Sequence, residues 1–167
     1  MYRKLDDFLT HWQEHTDGTG KLMHALTDAS LAQAVGESHR TLGRIAWHIV
    51  ITIPEMLAGV GLKADGPAPE APVPATAKAI AAAYAQVTRS AAELIRANWA
   101  DATLDVEDDM YGERWTRGTT LRAVVNHEIH HRGQMTVLMR QAGLKVPGIF
   151  GPALEAWTTY GMAAPAI

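Results

Sequence analysis

The stretch HEIHHRGQM, His127 to Met135, places three imidazoles within five residues. His127 and His131 are four residues apart, so on a helix they stand about 40° apart, one turn over the other. Neutral imidazoles at that spacing converge on one ion, as helical His-x-x-x-His pairs do in zinc sites. His130 points elsewhere on the wheel. A further imidazole lies upstream: His48, in RTLGRIAWHI, sits on the flank of its own apolar stripe, with Thr52 and Glu55 one and two turns below. Three imidazoles on a divalent ion leave positions free for water or substrate, the open arrangement of a catalytic ion. The metal reading therefore takes His48, His127 and His131 as ligands. Its competitor is three partly buried histidines satisfied by hydrogen bonds. His15 also falls near the edge of an apolar face but lacks a partner at helical spacing, and His11, His24 and His39 read as surface or cap residues.

Glu128 and Arg132 point close to the centre of the same helix's apolar stripe and, at i and i+4, are expected to pair with each other. A buried pair of this kind is weak evidence for stability. One reading is an ion pair at the bundle end or at a subunit interface. The other has Glu128 orienting a ligand histidine or a bound water. No residue identifies itself as the catalytic group.

These side chains need helices to hold them, and four helical patterns are present with no competing run of strand alternation. The first carries Leu5, Phe8, Leu9, Trp12, Thr19, Leu22, Met23 and Leu26 on one face, with Gly18 and Gly20 expected to weaken its middle. The second runs from about Thr41 to Ala58, capped by Ser38 or Thr41, and Pro54 is expected to bend it. Lys63 to Thr76 holds four prolines and is expected to be a stiff crossover without regular structure. A third helix should follow Thr76 and end near Trp99, with Ile80, Tyr84, Val87, Ala91, Leu94 and Ile95 facing inward. Ala100 to Gly118 reads as loop or small hairpin. The fourth helix is expected to be capped by Thr119 or Thr120 and stopped by Gly143. A last helical turn is expected around Leu154 to Tyr160. Trp47, Phe150, Trp157 and Tyr160 read as core or interface before substrate contacts. The expected fold is all-α, a four-helix bundle with a long crossover connection between helices 2 and 3, in a single domain spanning 1–167.

Composition narrows the function. The 167 residues are 47% hydrophobic with net charge −3 and scattered basic residues, so charge gives no attraction to nucleic acid. Cysteine is absent, which excludes disulfides, zinc–thiolate sites and a cysteine nucleophile. No apolar run reaches a membrane span, and the opening MYRKLDDFLTHW is too polar for a secretory signal, so a soluble, cytoplasmic protein is expected.

Together HEIHHRGQM, RTLGRIAWHI with its mid-helix His48, and the following GLKVPGIFGP resemble the DinB-like superfamily in order and spacing over the whole chain. The resemblance implies a four-helix bundle, a divalent metal (zinc or nickel) held by His48, His127 and His131, and frequently a homodimer. Characterised relatives of that superfamily include thiol S-transferases that use low-molecular-weight thiols. The expected function is accordingly a metal-dependent enzyme, foremost an S-transferase joining such a thiol to a small-molecule electrophile. A metal-dependent hydrolase and a non-enzymatic metal-binding stress-response protein are the alternatives.

Overall fold

The computed structural model describes residues 2–166, so Met1 and Ile167 of the expected domain lie outside it. Four α-helices form the body: α1 (Leu5–Ala25), α2 (Leu42–Ala58), α3 (Ala77–Asn98) and α4 (Arg117–Gln141). Short 3-10 helices occupy Asp28–Ala32, Asp101–Asp105 and Leu154–Tyr160. Among the described residues the one β feature is a hairpin of β1 (Glu107–Met110) and β2 (Glu113–Thr116). Helix α1 packs on α3 and α4, and α2 packs on the same two, so α1 and α2 lie across the bundle from each other. The connections that cross the bundle are therefore those from α1 to α2 and from α3 to α4, while the long proline-rich segment joins the neighbours α2 and α3. None of the described helices is long and apolar enough to cross a membrane.

Threonine caps open three of the helices. The Thr41 hydroxyl accepts from Arg44 N, Thr76 from Ala79 N and Thr116 from Thr119 N, at 3.2, 3.3 and 3.2 Å. The expected cap of α4 was therefore three or four residues late. Thr116 closes β2 and opens α4 at once, and Arg117 is held in place by its backbone N–H on Val106 O and its side chain on Asp108. Helix α1 runs unbroken through Gly18 and Gly20, against the weakening expected there. Tertiary packing supplies the reason: a Cβ at Gly18 would overlap the side chain of Ile149 in the C-terminal segment. Helix α2 likewise continues through Pro54 to Ala58.

The connections are tied down. Trp47 is buried, and its indole N–H donates to Ala71 O in the proline-rich crossover at 2.8 Å. Trp12 does the same for the α1/α3 seam, donating to Thr88 O at 3.1 Å. In the hairpin, Tyr111 and Gly112 both take positive φ, 57° and 82°, the two-residue turn whose twist matches paired strands. The hairpin seats Met110 against the end of α2, where a Cβ on Gly59 would come within 2.6 Å of the Met110 sulfur. The C-terminal 3-10 helix buries none of its residues, and Phe150 and Tyr160 are exposed.

Candidate metal centre

Helices α2 and α4 lie side by side, and the three expected histidines meet at their seam. His48 comes from α2; His127 and His131 come from successive turns of α4. Their ring centroids are 4.5 to 5.0 Å apart, each pair edge to face, and one nitrogen from each ring lies within 4.8 Å of the other two. His127 Nε2 and His131 Nε2 are 3.2 Å apart. Two nitrogens bound to one ion at 2.0–2.1 Å with near-tetrahedral angles stand ~3.3 Å apart, so this pair already has the spacing of a shared ligand set.

The hydrogen bonds on the far side of the two α4 rings favour the tautomer that such a site requires. His131 Nδ1–H donates to Gln134 Oε1 at 2.7 Å. The Thr52 hydroxyl spends its proton on His48 O at 2.8 Å and so accepts from His127 Nδ1–H at 3.4 Å. Both Nε2 lone pairs then face each other, an arrangement a cation between them relieves. The rings are also held neutral. Burial, followed by the neighbouring His131, Arg40, His127 and Arg44, lowers His48 to about 4. Burial, then His131, His130 and Arg40, lowers His127 to about 4 as well. Burial lowers His131, with the Gln134 hydrogen bond opposing it. No carboxylate is among the groups acting on the three rings. A donor set of three neutral imidazoles suits a divalent transition-metal ion.

Glu128 and Arg132 are elsewhere. Glu128 is 1% exposed and turns toward α1 and α3, where the Thr19 and Tyr84 hydroxyls donate to its Oε1 at 2.6 and 2.9 Å. Its Oε2 has no hydrogen-bond partner. Burial raises the Glu128 carboxyl above its ordinary value and raises Tyr84 well above its own. Arg132 does not form the expected direct ion pair with it; among the described residues the ion pairs are Arg114–Glu107, Arg117–Asp108 and Arg140–Glu155. Arg132 Nη1 instead donates to His15 Nδ1, His15 O and Thr19 Oγ1 at 3.3 to 3.4 Å, and its guanidinium lies 5.0 Å over the Phe150 ring. Thr19 thus bridges the two charges. Glu128 orients no histidine of the cluster, and that role belongs to Gln134 and Thr52. Gln134 was readable only as a polar residue three positions after His131, the spacing that returns a side chain to its neighbour on a helix.

The DinB family model matches residues 1–164. The chain belongs to the DinB family. It is 44% identical over 165 residues to YrdA of Bacillus subtilis (strain 168), described as an uncharacterized protein, covering 99% of each chain. Among solved structures it resembles a DinB-like protein from Bacillus cereus ATCC 10987, with a TM-score of 0.87 at 45% identity, covering 90% of this chain and 100% of that one. A DinB-like protein of Bacillus subtilis, YjoA, shares the fold at a TM-score of 0.68 and 17% identity, over 88% and 99% of the two chains.

Proposed function

We propose that this DinB-family protein binds one divalent ion, zinc or nickel, through His48, His127 and His131, and uses it to transfer a low-molecular-weight thiol to a small electrophile. The observation that carries the proposal is the 3.2 Å approach of two imidazole nitrogens whose opposite nitrogens are already committed to Gln134 and Thr52. A divalent ion held by His48, His127 and His131 would supply a Lewis acid that lowers the pKa of a bound thiol. The chain's part is to hold the rings neutral by burial, to fix the tautomers of His127 and His131 and to turn Glu128 toward the opposite seam. With no cysteine in the chain, the sulfur comes with the cosubstrate. The S–H bond breaks with its proton passing to solvent, the S–C bond forms at the electrophile, and the leaving group departs with the electron pair.

The place of Glu128 favours transfer over hydrolysis. A metal-dependent hydrolase generally adds a carboxylate base beside the ion, as the HExxH enzymes do, and here the one buried carboxylate of α4 faces the opposite seam. The partners in this reading are the thiol, the electrophile and a second copy of the chain. The test is elemental analysis of tag-free protein, followed by consumption of a chloronitroarene with and without added thiol. About one ion per chain and thiol-dependent, chelator-sensitive turnover are expected. Turnover in thiol-free buffer would replace transfer with hydrolysis, and bound metal without turnover would leave a binding protein.

A further inference from the structure

Beside the three histidines a cavity of about 430 Å³ opens between the loop that precedes α2 and the outer face of α4. Val35, Ile45, Val137 and Leu138 form its apolar walls, and His131 stands at its inner edge. Val35 and Val137 are 58% and 54% exposed, which is more apolar surface than an isolated surface valine needs to explain. Arg40 lines the same cavity, directly before the Thr41 cap of α2. It is exposed, and it belongs to none of the ion pairs among the described residues.

The charge balance of this corner is one-sided. Three neutral imidazoles contribute no negative charge to a divalent ion, Arg40 and Arg44 add positive charge near the rings, and no carboxylate lines the cavity. A chain whose net charge is −3 has nonetheless concentrated cations here. Counter-charge must then arrive with the ligand, and an apolar trough with one guanidinium at its side sorts ligands by a simple rule. We infer that the substrate bound beside the histidine cluster is a small organic acid, its carboxylate taken by Arg40 and its apolar body laid along Val35, Ile45, Val137 and Leu138. The guanidinium presents paired N–H donors that match a carboxylate, whereas a neutral amide or alcohol of the same shape offers only the apolar contact. The inference deepens the metal-centre reading by naming the substrate class, and it rests on that reading only for the chemistry that follows binding.

The experiment is an NMR titration of the full chain with hexanoate and with hexanamide, followed on the Val137 methyls, in metal-free and zinc-loaded protein, with zinc measured in each sample. Hexanoate is expected to bind at least tenfold more tightly than hexanamide in both forms. Arg40→Gln, at an exposed and unpaired position, should remove that preference without changing zinc content. Val137→Asp should expel hexanoate by placing a carboxylate in the trough. Equal affinity for the two probes, or a preference that survives Arg40→Gln, overturns the inference. A carboxylate preference found only with zinc and indifferent to Arg40 assigns the anion to the metal alone, and also overturns it. Protein that takes up no zinc but keeps the Arg40-dependent preference overturns the metal reading and leaves the organic-acid pocket standing.

Discussion

His127 and His131 face α2, whereas Glu128 and Arg132, one position further along the same helix, face α1 and α3. Both pairs have i, i+4 spacing and both are partly or wholly buried, yet they are finished differently. On the α1/α3 side the polar groups are largely consumed: Thr19 and Tyr84 serve Glu128, and His15 and Thr19 serve Arg132. On the α2 side only the outward nitrogens are served, by Gln134 and Thr52, and the inward pair is left aimed at a common point. The lesson is that spacing alone does not separate a structural polar pair from a binding site. What separates them is whether neighbouring elements complete the hydrogen bonds or stop short.

Breaking the α2 side should change binding and little else. His131→Ala is expected to reduce bound metal from about one ion per chain to none, while the melting temperature of the metal-free protein moves little, since the ring borders an open cavity. Elemental analysis and calorimetry on the same sample check both halves. Retained metal would end the three-histidine reading.

Breaking the other side should do the reverse. Glu128→Ala leaves the Thr19 and Tyr84 hydroxyls buried without their carboxylate acceptor, and each buried donor left unsatisfied costs about 1–3 kcal/mol. Metal stoichiometry at a temperature where the variant is folded should be unchanged. If Glu128→Ala released the metal at constant stability, the two faces would be one site and the contrast would collapse.

The contrast also explains what was legible in the sequence. The His48, His127 and His131 cluster was readable because two of its members share one helix and the third occupies the matching flank of another. The apolar faces of the helices, the Thr41 cap of α2, the start of α3 after Thr76 and the irregular crossover follow from local pattern in the same way. Glu128 and Arg132 were misread as a mutual pair because their real partners, Thr19, Tyr84 and His15, come from helices more than 40 residues away. Gly18 was misread for the same reason, since the residue that needs its missing side chain is Ile149. The start of α4 was missed because Arg117 and Gly118 look like turn residues until Thr116 is seen ending a strand.

A finer cut concerns the outward nitrogens. Gln134→Leu keeps the helix and the three rings but removes the acceptor on His131 Nδ1, so metal affinity should fall about 10–100-fold, the usual cost of losing such a partner. Competition against a chromophoric chelator measures it. An unchanged affinity would mean that Gln134 is only a surface residue near the site.

The smallest effect belongs to His15, which is 5% exposed and lowered to about 4 by burial, then by His11 and Arg132. The folded state prefers the neutral ring while the unfolded chain titrates near 6.5, so His15 contributes stability that is whole above about pH 6.5 and is lost as the pH falls toward 4. His15→Gln keeps an acceptor for Arg132 and removes the titration. It should flatten this part of the acid limb of melting temperature against pH and leave the value at pH 7.5 nearly unchanged. His15→Leu removes both, flattening the limb and lowering stability at pH 7.5 by about 0.5–1.5 kcal/mol, because Arg132 Nη1 loses its imidazole acceptor and keeps only His15 O and Thr19 Oγ1. Parallel acid limbs in wild type and both variants would show that this ring titrates alike folded and unfolded, and that the α1/α3 face is sealed by packing rather than by its hydrogen bonds.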